Sequence, residues 1–220
     1  MDAMPAAIDY LNPVVPRALP WHELELVEAT PESLAGYGML VDDPQDFPVE
    51  IVTWPKPEGR PVDPGTGNEA GTVTGEFSFW WEGDLLFGAN SAVDDRYLFG
   101  WSRNPGEADR GREPWLPPRV LLWHANYHPD GGQLFFPKDG NGFVSPLALP
   151  GDDVTPERFV AFHVTGGRGL YIHPGVWHEG VFPVGLRSRF HDEQGAVHAR
   201  VSCSFADEFG VFLGVPLPQP

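Results

Sequence analysis

The chain has 220 residues and a formal net charge of −17, from 14 Lys and Arg against 31 Asp and Glu. So acidic a surface repels phosphate backbones and anionic lipid, which sets aside nucleic acid and membrane as partners. Hydrophobic residues make up 41% of the chain, enough for a sizeable core, and the single cysteine, Cys203, excludes an internal disulfide framework or a cysteine-rich zinc site.

In chain order, the opening run MDAMPAAIDYLNPVVP has no basic stretch, and no segment approaches the roughly 18 apolar residues of a membrane span. A cytoplasmic protein is the expectation. Pro13, Pro16 and Pro20, with no clear periodicity, make residues 1–24 an extended arm, packed on the body or on a partner chain. Residues 25–220 read as one domain, since no repeat or shift in composition divides them. In EATPESLAGYG, Thr30 can cap a short helix, Pro31 suits its first position, and Gly36 or Gly38 can end it. Residues 55–71 form a surface loop by their Pro, Gly and charge content.

Short strand-like runs then follow: EFSFWW, DLLFGA, RYLFGW, RVLLWHANYH, QLFFP, GFVSPLAL, RFVAFHV, GLYIH, GVFPV and HARVSCSF. Gly-rich turns separate them, which predicts an all-β sandwich or barrel, with one helical turn at TPERF. Adjacent Trp80 and Trp81 fall on opposite faces of one strand, so one of them needs cover outside the main core. A partner chain could supply it.

The segments HANYHPDGGQ and IHPGVWH hold four of the eight histidines. Alternation along a strand puts His124, Asn126 and His128 on one face. Gln133 enters just after the Gly turn, and Pro174 and Gly175 deliver His178 to the next strand. A polar group buried by such a face needs hydrogen-bond partners or an ion. The plainer reading is a pair of buried histidines tied to backbone carbonyls. By the same standard His124 is a satisfied lining residue and His163 a strand histidine. His22, His191 and His198 belong to the surface or loops, and Cys203 to the core.

Asn126-x-His128-x4-Gln133 resembles the first motif of the cupins, H-x-H-x4-E, with amides at two ligand positions. The run from LFGWSRNP through YHPDGGQLFFP to GLYIHPGVWHEGVF resembles the ureidoglycolate lyases within that superfamily. His128, Pro129, Gln133, Phe135 and Pro137 stand at one family signature, and His173, Trp177 and His178 at another. Asn126 replaces a usual acidic residue, Tyr127 a basic one, and Ile172 a tyrosine.

The resemblance implies a cupin-like antiparallel β-barrel of jelly-roll type with one or two short helices. It implies cleavage of (S)-ureidoglycolate to glyoxylate and urea, assisted by a divalent metal ion, in a homodimer. It places His128, Gln133 and His178 on the metal, His173 at proton transfer, and Arg103, Asn126 and Trp177 on the substrate, with Arg103 taking its carboxylate. Two alternatives stay open: another cupin hydrolase or isomerase acting on a different small acid or amide, and a ligand-binding cupin without catalysis.

Overall fold

The computed structural model describes residues 8–45, 47–52, 59–67, 71–196 and 199–219. The strands are β1 (Trp21–Glu23), β2 (Leu26–Glu28), β3 (Gly38–Val41), β4 (Thr72–Glu82), β5 (Leu85–Asn90) and β6 (Asp95–Trp101). They continue with β7 (Arg119–Leu122), β8 (His124–Tyr127), β9 (Gln133–Pro137), β10 (Phe143–Leu147), β11 (Val160–Val164) and β12 (Gly169–Ile172). The last are β13 (Phe182–Pro183), β14 (Arg187–Gly195), β15 (Val201–Ser204) and, after the helix α1 (Phe205–Phe209), β16 (Phe212–Pro216).

The strands form a ten-stranded sheet in the order β1-β16-β7-β6-β5-β4-β14-β9-β12-β3, a four-stranded sheet β13-β10-β11-β2, and a pair β15-β8. Pairing is antiparallel except between β1 and β16 and between β2 and β11. The expected all-β, cupin-like architecture is therefore present, with the hydrogen bonding arranged as open sheets. No helix among the described residues is long and apolar enough to cross a membrane.

Strand alternation builds the core. On β4, Phe77 and Phe79 turn inward and stack with ring centroids 4.5 Å apart. β14 pairs with β4 along its whole length and sends Ser188, Phe190, Asp192 and Gln194 inward. Phe190 meets Phe79 and Phe143 edge-on. The tryptophan pair divides as the alternation requires. Trp81 packs on the main core. Trp80 joins a second cluster around Phe87, Leu98 and Trp123. That cluster also receives Tyr10, Val15 and Leu19 of the arm. So the arm packs on its own chain, held by Leu98 N–H to Tyr10 O (2.8 Å) and Gly106 N–H to Arg17 O (2.6 Å).

Two local expectations are corrected. Residues 31–37 form successive turns instead of a helix, although Ser33 N–H does reach Thr30 Oγ1 (3.1 Å). Gly36 takes a left-handed φ of 85°, and Gly38 already pairs with Ile172 in β3–β12. One turn cannot offset the cost of helix nucleation when a strand starts so soon after it. The α-helix lies instead at the end of the run HARVSCSF. Ser204 caps it, its Oγ accepting from Asp207 N–H (3.2 Å), and Gly210 closes it with φ 66°. The helical turn at TPERF is a 3₁₀ turn, Pro156–Arg158. His22 and His191, read as surface or loop residues, lie on β1 and β14, half-buried. His198 and parts of the 55–71 loop fall outside the described residues.

Candidate active site

The cavity begins with β8. On one side it pairs with β15; on the other, Asn126 and His178 exchange backbone hydrogen bonds, each 2.8 Å. Residues directly opposite in an antiparallel pair share a face, so Asn126 and His178 project together. His128 lies two residues on, on the same face, and its carbonyl accepts from Gly175 N–H (2.8 Å). Gly175 has φ 80°, the left-handed geometry that lets the chain turn back within hydrogen-bonding reach. As a result the His128 and His178 rings sit 4.9 Å apart, edge to face.

The protons on these rings follow from their partners. His128 Nδ1 faces Ala199 O (2.9 Å) and His178 Nδ1 faces Val176 O (2.8 Å). A carbonyl only accepts, so each Nδ1 carries a hydrogen, and in a neutral ring Nε2 then holds the lone pair. Burial pushes the His178 imidazole down to about 4, so it is neutral at physiological pH. Its Nε2 faces Gln133 Oε1 at 3.4 Å. The Gln133 amide is held by its other end, where Nε2 donates to Asp192 Oδ1 and Gln194 Oε1, each at 2.7 Å.

A buried carboxylate and a guanidinium complete the chamber. Glu179 Oε2 takes His124 Nδ1 (2.9 Å) and Asn126 Nδ2 (3.1 Å), leaving Asn126 Oδ1 buried without a hydrogen-bond partner. Arg200 pairs through Nε with Asp63 Oδ2 (3.2 Å) and lies 4.2 Å from the ring centre of Tyr10. The Tyr10 hydroxyl donates to the same Asp63 oxygen (3.0 Å). Phe77, Phe99, Phe135 and Tyr97 wall a cavity of about 30 Å³. Two larger clefts, about 410 and 420 Å³, flank Trp80 and contain no histidine.

Asn126, His128, Gln133 and His178 thus line one cavity. The other three expected site residues lie elsewhere. Arg103 pairs with the buried Asp84 (3.2 Å), which also binds Ser102 and Arg112, and packs against Trp115. It does not line the cavity, because the chain leaving the end of β6 carries it to the β4–β5 turn. His173 is half-buried beside Tyr171, its N–H bound to Tyr37 O (3.0 Å). Trp177 points away from His178 by alternation. It bonds Gly151 O through Nε1 (2.8 Å) and packs on Tyr127.

Sequence reasoning missed Glu179, Arg200, Asn90, Gln194, Tyr10 and Tyr97 as lining residues. Only Glu179 had a signal, as the acidic neighbour of His178. Among the described residues no group of three or more His, Cys, Asp or Glu is disposed to hold a metal. A ligand set here therefore needs the amide oxygens. The unpartnered Asn126 Oδ1, the acceptor Gln133 Oε1 and two imidazoles fit a labile divalent ion better than a tight structural zinc.

The family model for ureidoglycolate lyase matches residues 122–203. The chain is 36% identical over 75 residues to the ureidoglycolate lyase of Pseudomonas savastanoi pv. phaseolicola, covering 34% of this chain and 44% of that protein. It is 40% identical over 75 residues to that of Pseudomonas aeruginosa, covering 34% and 43%. Against that of Azotobacter vinelandii it is 38% identical over 66 residues, covering 30% and 40%. The aligned part is thus under half the length of these relatives. The matched stretch contains Asn126, His128, Gln133, His178, Glu179 and Arg200, and leaves out Tyr10, Asn90 and Tyr97. Through residues 122–203, which carry both histidine segments, the chain is similar to the ureidoglycolate lyases.

Proposed function

We propose that this chain is a metal-assisted carbon–nitrogen lyase that cleaves (S)-ureidoglycolate to glyoxylate and urea. The observation that carries the reading is a surplus of buried acceptors in one cavity. His178 Nε2 faces Gln133 Oε1, Asn126 Oδ1 has no partner, and a guanidinium stands in the same wall. Buried acceptors without donors are costly, so the cavity suits a cation and a substrate rich in N–H and O–H groups.

His128, His178 and Gln133 would hold a divalent ion, which supplies Lewis-acid polarisation of the substrate hydroxyl and of the carbonyl that forms from it. Arg200 takes the substrate carboxylate, the role expected of Arg103. Its fork geometry suits a carboxylate, and Asp63 and Tyr10 hold it in place. Glu179 is the one carboxylate among the described lining residues, and His124 stands behind it. It accepts the hydroxyl proton as the aldehyde C=O forms and the C–N bond breaks, then returns that proton to the departing urea nitrogen. Glu179 so takes the part expected of His173, which lies outside the cavity.

A second reading has one observation in its favour. Tyr10, Tyr97 and Asn90 shape the cavity from outside the matched stretch, so the substrate could be another small hydroxy acid or amide. Urea release from ureidoglycolate by the purified protein, with and without a chelator, tests the first reading. Absence of urea, with turnover of another compound from a panel of ureido and 2-hydroxy acids, would favour the second.

A further inference from the structure

Asp192 lies on β14 beneath the cavity, fully buried. Its Oδ1 accepts from Gln133 Nε2 (2.7 Å) and its Oδ2 from Asn90 Nδ2 (2.9 Å). Each oxygen therefore accepts one amide hydrogen bond. Both donors are neutral amides, and no salt bridge reaches Asp192 among the described residues. A buried anion without a counter-charge is destabilising, and removing it is the cheaper design unless something nearby is positive.

The same carboxylate decides which way Gln133 faces. Turning the amide over would set its oxygen against the ionised Asp192 Oδ1, two acceptors with no donor between them, whereas the Gln194 amide has an unpartnered Nε2 and can turn with it. Asp192 thus forces Gln133 Oε1 toward His178 Nε2, whose own lone pair is fixed by the Nδ1 hydrogen on Val176 O. Two lone pairs face each other at 3.4 Å because of a residue that touches neither the cavity surface nor His178.

We infer that Asp192 is the positioning residue of a cation site, locking Gln133 as an oxygen ligand and supplying the buried negative charge that balances the ion. The inference rests on the reading that His128, His178 and Gln133 hold a divalent cation. An anionic partner behind a ligand raises the basicity of that ligand, and loss of such partners typically weakens metal binding by roughly 10–100-fold.

Equilibrium dialysis of the purified full-length protein against Mn²⁺ tests it, with melting curves recorded without metal on the same samples. Asp192→Asn keeps the shape and removes the charge. The expected result is a ~10–100-fold weaker Mn²⁺ affinity with no fall in the metal-free melting temperature. The double variant Gln133→Glu/Asp192→Asn exchanges carboxylate and amide and keeps one hydrogen-bonded pair between them. It should recover most of the affinity, and it provides the test if the single variant does not fold. Wild-type affinity retained by a folded Asp192→Asn protein would overturn the inference and leave the cation site standing. A double variant that folds but recovers no affinity would also overturn it. Wild-type protein that binds no Mn²⁺ would remove the cation site itself, and the role of Asp192 with it.

Discussion

Removing His178 should change how stability depends on pH in a direction set by its burial. Its imidazole titrates at about 4 in the folded chain against 6.5 in the unfolded one. Between those values the unfolded chain binds the proton, so the His178 contribution is fully present above 6.5 and lost as pH falls toward 4. In metal-free protein, wild type should therefore lose ground to His178→Gln as pH is lowered through that window, by on the order of 3 kcal/mol. Asp192 has the opposite sign, since burial pushes it up to about 7, and its charge opposes folding increasingly as pH rises from 3.8. Denaturant titrations of both variants at pH 4 and 7 would separate the two slopes. Parallel curves for wild type and His178→Gln would contradict the neutral, buried imidazole. The two arginines make a second contrast at this scale. Arg200→Gln should raise KM for a carboxylate substrate by roughly 10–100-fold, the worth of a charged hydrogen bond. Arg103→Gln should leave KM near wild type and lower the melting temperature, because it strips a partner from the buried Asp84. The reverse pattern in steady-state kinetics would return the carboxylate to Arg103.

The arm and β14 both shape the cavity without containing either histidine segment. The cavity of about 30 Å³ has room for one ion or a few waters, so a substrate the size of ureidoglycolate must displace part of its wall. Tyr10 is the wall residue held by the least regular structure, between Leu98 N–H and Asp63. Tyr10→Ala should speed hydrogen exchange at the Leu98 amide by about tenfold, equivalent to ~1.4 kcal/mol of local opening. Unchanged exchange there would show that the arm does not help close the cavity. β14 was illegible in sequence because RSRFHDEQG carries charge on both faces. Its inward row is Ser188, Phe190, Asp192 and Gln194, and two of those four are polar because they serve the floor of the cavity. Helix α1 was hidden for a different reason. Its signal, Ser204 before Asp207 and Glu208 with Gly210 closing, starts at the end of a run whose Val201–Ser204 does form a strand.

At the scale of the whole molecule, an aromatic core joins the sheets, and the site depends on it. Phe190 contacts Phe79, Phe135 and Phe143 edge-on and lies two residues from Asp192 on the same face. Phe190→Ala should cost ~3–5 kcal/mol and lower the melting temperature without touching any cavity atom directly. A calorimetric loss below about 1 kcal/mol would mean that the core collapses into the gap. Beside the family resemblance, two features suggested a homodimer, and the described arm and the tryptophan pair each pack in part on their own chain. From the residues alone came the all-β class, the shared face of Asn126 and His128, and the reach of Gln133 and His178 toward them. Each rests on strand alternation and on turn residues, which act over a few positions. Tertiary structure alone decided that Arg200 and Glu179 line the cavity while Arg103 and His173 do not, and that Asp192 accepts from the Gln133 amide. Asp192 lies on β14, Arg200 just before β15 and Glu179 next to His178, and only the pairing of strands distant in sequence brings them to the floor and walls of one cavity.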